Sequence, residues 1–128
     1  MSAFAPLLIT VEQVGGAQVI GVSGEVDLAT APALAGALKG PAADGADLVV
    51  DLSRTSFLDC EGIHLLLAAG TAQREAGHGF AIACPATGEV ARLLSMIEAT
   101  GADLPSHRSR AAAIAAATRP TEPGAALA

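Results

Sequence analysis

Asp59, Cys60, Glu61 and Gly62 stand together just after an apolar run, and His64 follows four residues beyond Cys60. A thiol at a helix start is pushed toward the thiolate, and an imidazole at i+4 shares its helical face. Cys60 and His64 beside Asp59 therefore outline a nucleophile with its base. The carboxylates suggest other work. Asp is a good helix cap, and an acid in a first helical turn gains about 0.3–1 kcal/mol from the helix dipole when exposed. Ser53, Thr55 and Ser56 add hydroxyls in the same stretch. They could accept phosphoryl groups, but such residues more often satisfy loop backbone groups. No other motif supplies a substrate pocket or an oxyanion hole. Cys60 fits equally as a small residue in a tight loop with His64 on a solvated face, so no enzymatic activity is expected.

Cys84 follows the next apolar run. If the strands before Cys60 and Cys84 are parallel neighbours, the two thiols lie at the same end of the sheet. A redox switch between them needs Cα atoms within about 7 Å. The Cys60–Cys84 spacing is not that of a zinc site, and His78 and His107 are isolated, so no metal is expected. With no P-loop and no glycine-rich dinucleotide fingerprint, no cofactor is expected either.

The elements that position these groups follow from periodicity. Leu7, Ile9 and Val11 alternate with Leu8, Thr10 and Glu12 as in a half-buried strand. Gly15-Gly16 reads as a hairpin turn, with Val19, Ile20 and Val22 on a return strand ending at Gly24. Thr30 is placed to cap a first helix with Pro32 in its first turn, an inner face of Ala31, Leu34, Ala35 and Leu38, and a stop at Gly40-Pro41. Asp44-Gly45 reads as loop.

Leu48-Val49-Val50 is a strand covered on both faces, leading into a polar loop from which Phe57-Leu58 return to the core. The next helix shows Ile63, Leu66, Leu67 and Gly70 on one face and stops at Gly77. Phe80 to Ala83 is another buried strand. Val90, Leu93, Leu94 and Ile97 mark a third helix, capped by Thr87 and stopped at Gly101. Leu104-Pro105 is at best an edge strand, Arg108 to Thr118 reads as an Ala-rich helix, and residues 119–128 read as a loose tail. The expectation is one α/β domain over residues 1–118, with a mixed sheet of four to five strands and about four helices. Sites in such folds cluster at the C-terminal ends of the parallel strands.

Composition excludes several classes. The formal charge of −6, with the basic residues mostly scattered, argues against nucleic acid. No apolar run approaches the roughly 18 residues of a membrane span, and the start MSAFAPLLIT lacks the features of a signal peptide. A cytoplasmic protein with reduced cysteines is expected.

Three segments together resemble the STAS domain, specifically the bacterial anti-sigma factor antagonists: Val22-Ser-Gly-Glu-Val-Asp-Leu-Ala-Thr30, Asp51-Leu-Ser-Arg-Thr-Ser-Phe-Leu-Asp59, and Gly62-Ile63 with Leu66-Leu67. The resemblance runs from about Val19 to about Ala115. It implies a protein that binds an anti-sigma factor, often a GHKL-type serine kinase, and so frees a sigma factor for transcription. Asp27, Thr30, Asp59, Cys60, Glu61 and Gly62 are then the partner-binding residues. Family members carry a serine before the glycine of an Asp-Ser-Ser-Gly-type motif. Its phosphorylation breaks the complex by adding about −1.5 to −2 of charge.

In this sequence the motif reads Asp59-Cys60-Glu61-Gly62, so the phospho-acceptor position holds Glu61. The expectation is that the usual switch is absent there, and that the partner meets the fixed carboxylate with a cation of its own. The other reading is a STAS-type sensor or scaffold module that binds a nucleotide or another small ligand.

Overall fold

The computed structural model describes residues 7–119. The chain runs β1 (Leu8–Val14), β2 (Ala17–Val26), α1 (Ala31–Leu38), α2 (Gly40–Asp44), β3 (Asp47–Leu58), α3 (Cys60–Glu75), β4 (Phe80–Ala83), α4 (Glu89–Ala99), β5 (Ser106–His107) and α5 (Arg110–Ala117). The strands form one mixed sheet in the order β1-β2-β3-β4-β5. β1 is antiparallel to β2, and the other neighbours are parallel. This is the expected α/β architecture, with four helices of eight residues or more and the one-turn α2.

β4 shows how sequence divides the layers. Phe80 and Ile82 point to one face, and Ala81 and Ala83 to the other. The large-residue face, with Ile20, Val22, Leu48, Val50 and Leu52, packs against α1, α3 and α4 through Leu34, Leu38, Ile63, Leu66, Val90 and Leu94. The small-residue face, with Ala17, Val19 and Val49, is covered by α5 through Ala113 and Ala117. Small residues let α5 sit close. A Cβ added at Gly79 would fall 1.7 Å from the Ala117 carbonyl oxygen. Gln73, buried on α3, fastens the lower end of the sheet by donating to the carbonyls of Ala46 and Gly79 at 2.9 and 3.0 Å.

Several sequence expectations need correction. The polar stretch after Leu52 is not a loop, because β3 continues to Leu58 beside β2 with two register shifts. Thr55 turns inward there and donates to the Val22 carbonyl at 2.8 Å, which lets a polar residue occupy a buried strand position. Leu58 returns to the core but Phe57 stays 44% exposed. β2 likewise runs past Gly24 to Val26. The expected alternation holds for Leu7, just before β1, and for Ile9, both packed on the core, whereas Val11 is exposed.

Thr87 does not cap α4. The N-cap is Gly88 at φ 107°, a conformation that favours glycine. A short helix replaces the loop expected after Gly40, closed by Gly45 at φ 70°. β5 falls at Ser106–His107, leaving Leu104 buried and the Pro105 carbonyl accepting from Ile82 N at 2.8 Å. The expected tail lies outside the described residues beyond Arg119.

Candidate functional site

The cluster is built where β2 and β3 end together. Val26 and Leu58 are register partners, and Asp59 N donates to the Val26 carbonyl at 3.1 Å. The turn after β2 and the start of α3 are thereby held side by side. The structure thus brings Asp27, Thr30, Asp59, Cys60, Glu61 and Gly62 to one end of the sheet, on two adjoining segments.

On the first segment Asp27 organises the turn. Its Oδ1 accepts from Ala29 N at 2.9 Å and from Thr30 N at 3.0 Å. Thr30 occupies the N-cap of α1, yet its side chain does not cap the helix. Its hydroxyl accepts from Asp27 N and donates to the Glu25 carbonyl, both at 2.9 Å. The capping role expected for Thr30 is therefore replaced by a turn-closing one. These bonds lift Leu28 to the tip of the turn, where it is 73% exposed. An apolar side chain inside an Asp-x-x-Thr turn was the available sequence signal for this residue.

On the second segment Asp59 has extended backbone and caps α3, its Oδ1 accepting from Gly62 N at 3.2 Å. Cys60 and Glu61 are exposed on the first turn. Gly62 is buried beneath them. A Cβ there would lie 2.3 Å from Leu58 Cδ1 and 3.1 Å from Val26 Cγ1, so the glycine lets the helix start settle onto the ends of both strands. Glu61 makes no ion pair among the described residues. It faces solvent as an uncompensated carboxylate in the first turn of a 16-residue helix. His64, one turn along, is also exposed.

Cys84 lies elsewhere. It is a free, buried thiol, and burial, aided by the nearby Asp51 charge, pushes it up. Asp51 pairs with Ala83, so Cys84 is level with Leu52. From Leu52 to Leu58 the strand rises roughly 20 Å, which puts Cys60 far outside disulfide reach. The expected Cys60–Cys84 redox pair is corrected on this ground: β3 outruns β4. Of the candidate hydroxyls, Thr55 is committed to Val22, Ser53 Oγ donates to Asp51 Oδ1, and Ser56 is exposed.

A second polar group sits on the α5 face. Asp51 Oδ2 accepts from Arg110 Nε at 2.9 Å, and Arg110 Nη1 reaches Glu12 Oε1 at 3.0 Å. Burial works against the Asp51 charge, but hydrogen bonds from the Ser53 side chain and backbone and from Arg110 outweigh it and hold the carboxyl below its usual range. These residues border a cleft of about 270 Å³ that also includes Thr10, Ser23, Ser53 and Arg54. Among the described residues no cluster of His, Cys, Asp or Glu could hold a metal, and no helix is long and apolar enough to cross a membrane.

A mixed sheet with three main helices on one face, and an exposed acidic helix start beside a hydrogen-bonded turn, defines a small α/β module of the STAS class. Residues 9–104 match the family described as Mlab, STAS domain, and the chain belongs to that family. It is 41% identical over 69 residues to the anti-sigma-F factor antagonist RsfB of Mycobacterium tuberculosis; the match spans 53% of this chain and 57% of that relative, so little more than half of RsfB's length is covered. A solved anti-sigma factor antagonist from Mycobacterium paratuberculosis superposes with a TM-score of 0.76 at 30% identity, covering 89% of this chain and 96% of the other. SpoIIAA, an anti-sigma factor antagonist solved in an unphosphorylated form, shares the fold at 17% identity, with a TM-score of 0.63 over 82% of this chain and 92% of its own.

Proposed function

We propose that this protein is an anti-sigma factor antagonist. It binds an anti-sigma factor through the start of α3 and the Asp27–Thr30 turn, and so releases a sigma factor for transcription. It acts by docking, and Cys60 has no catalytic part. The observation that carries this reading is the presentation of Glu61: exposed, unpaired among the described residues, and set in the first turn of α3 by the Asp59 cap and the Gly62 seat. The antagonist relatives support the docking function.

Glu61 occupies the place of the family's phospho-acceptor serine, so phosphorylation does not switch the protein there. Its carboxylate carries one fixed charge and is planar, less than a phosphate group supplies. A partner suited to it presents an Arg or Lys opposite. The sensor reading finds less support. The cleft on the α5 face has Asp51, Glu12 and Arg110 already engaged with one another, so an incoming phosphate would meet two acids.

The test is binding to the anti-sigma factor captured from native lysate, measured by calorimetry with purified components. Glu61→Ala is expected to weaken binding about tenfold, and Glu61→Gln to do so nearly as much. Unchanged affinity in both variants overturns the role given to the carboxylate. If the captured partner is a kinase, Glu61→Ser is expected to become phosphorylated and then to dissociate. Failure to recover any anti-sigma factor overturns the function itself.

A further inference from the structure

We propose that the outer edge of β1 pairs antiparallel with β1 of a second copy, with Val11 on the twofold axis, giving a sheet continuous across a homodimer. The two edges of the sheet differ. β5 is two residues long, too short to template another strand, whereas β1 presents seven residues. Long edges are normally protected by Lys, Pro or a bulge. β1 reads Leu-Ile-Thr-Val-Glu-Gln-Val and holds unbroken register against β2 from Leu8↔Ser23 to Val14↔Ala17, so it has none of the three, and its one charged side chain, Glu12, is paired with Arg110. The covering layers reach β1 only in part: Ile9 packs on the core and Glu12 pairs with Arg110 of α5, but Val11, on the α1–α3–α4 side, is 55% exposed, and Leu8, on the α5 side, 60%.

The occupant follows from backbone phase and side-chain order. Val14 and Ala17 flank a two-residue turn and form a hydrogen-bonded pair. Bonding to β2 then alternates along β1, so Leu8, Thr10, Glu12 and Val14 bond inward and Ile9, Val11 and Gln13 direct their N–H and C=O groups outward. A second strand must therefore bring its own outward groups level with these. A twofold axis perpendicular to the sheet does this when odd positions oppose odd ones, and it keeps like faces on the same side.

Centring on Val11 uses the whole strand. Val11 opposes Val11 of the second copy, Ile9 opposes Gln13, Thr10 opposes Glu12, and Leu8 opposes Val14. The acid of β1, Glu12, then meets a threonine rather than itself. Shifting the axis to Glu12 would place like charges directly opposite, and shifting it to Thr10 would set Glu12 against Leu8. A single strand pair lies at the small end of specific interfaces, so the dimer is weak and concentration-dependent. With a charge of −6 on each copy it tightens as salt rises.

Sedimentation of the full chain from about micromolar to about millimolar concentration tests this. A reversible monomer–dimer equilibrium is expected. Val11→Lys, which places like charges on the axis, is expected to raise the dissociation constant about tenfold or more without changing the thermal melt, since Val11 is exposed. Cross-linking checks the register in a Cys60→Ser background. Val11→Cys is expected to oxidise to a covalent dimer, because hydrogen-bonded antiparallel pairs have Cα atoms about 5.5 Å apart. Gln13→Cys, displaced from its own copy along the strand, is expected to stay monomeric. A chain that is monomeric throughout, a dimer that Val11→Lys leaves intact, or equal cross-linking at positions 11 and 13 would each overturn the proposal.

Discussion

Asp51 on β3 and Arg110 on α5 meet at 2.9 Å across the small-residue face of the sheet. The aspartate side chain is largely withdrawn from water, the arginine only partly, and the same guanidinium extends to Glu12 on β1. One C-terminal side chain thus joins the edge and the centre of the sheet.

That pair sets an acid sensitivity. The folded Asp51 carboxyl lies below its ordinary value, so its contribution to stability is full above the unfolded value of about 3.9 and fades as pH falls through the folded one. In Arg110→Ala burial still raises the carboxyl while part of the opposing set of bonds is gone. The acid-unfolding midpoint is expected to move to higher pH, with a loss of about 1–3 kcal/mol at neutral pH. Urea unfolding at several pH values checks both.

Gly62 and Gly79 are expected to resist replacement for different reasons. In Gly62→Ala the new Cβ meets Leu58 and Val26 side chains. Repacking offsets part of the clash, and a net cost of about 1–3 kcal/mol is expected despite the better helix propensity of alanine. In Gly79→Ala the obstacle is the Ala117 backbone, which no rotamer change can relieve. α5 must shift as a unit, and hydrogen exchange is expected to show lost protection across 110–117 with the centre of the sheet preserved.

Leu28→Ser is expected to leave the melting temperature unchanged, because the side chain projects from the turn. Affinity for the anti-sigma factor is expected to fall about tenfold, which a binding titration beside the thermal melt would show. Equal affinity would remove the turn tip from the interface.

The two thiols should behave oppositely. Cys60 is exposed and Cys84 buried with its thiol pushed up, so alkylation at neutral pH is expected to label Cys60 well before Cys84. Mild oxidation followed by mass spectrometry is expected to find no intramolecular Cys60–Cys84 bridge.

Helical stripes were the clearest signal in the sequence. Ile63, Leu66 and Gly70 are buried along one side of α3, and Val90 and Leu94 along α4, as their spacing requires. The cap at Asp59 was legible because its carboxylate has one local use there. Thr30 was misread since Pro32 offers no N–H and Ala33 N is taken by the Thr30 carbonyl, so the hydroxyl turns back to Asp27 N and the Glu25 carbonyl instead. The extension of β3 was hidden because Thr55 is a polar residue whose burial depends on a carbonyl contributed by a distant strand. For the same reason the Asp51–Arg110 pair, separated by 59 positions, left no local pattern. The end of the sheet where the site lies was readable from strand–helix alternation, while the exposure of Leu28 and Phe57 depended on where neighbouring layers stop.

β3 runs on beyond the last residue that β4 accompanies, and only β2 keeps pace with it to the tip. The end proposed for docking is thus a narrow promontory, anchored in a broad base but sharing few neighbours with it. Substitutions at Leu28, Cys60 or Glu61 alter the outline of that promontory without disturbing the base, so under the proposed function a change of partner would cost the architecture little.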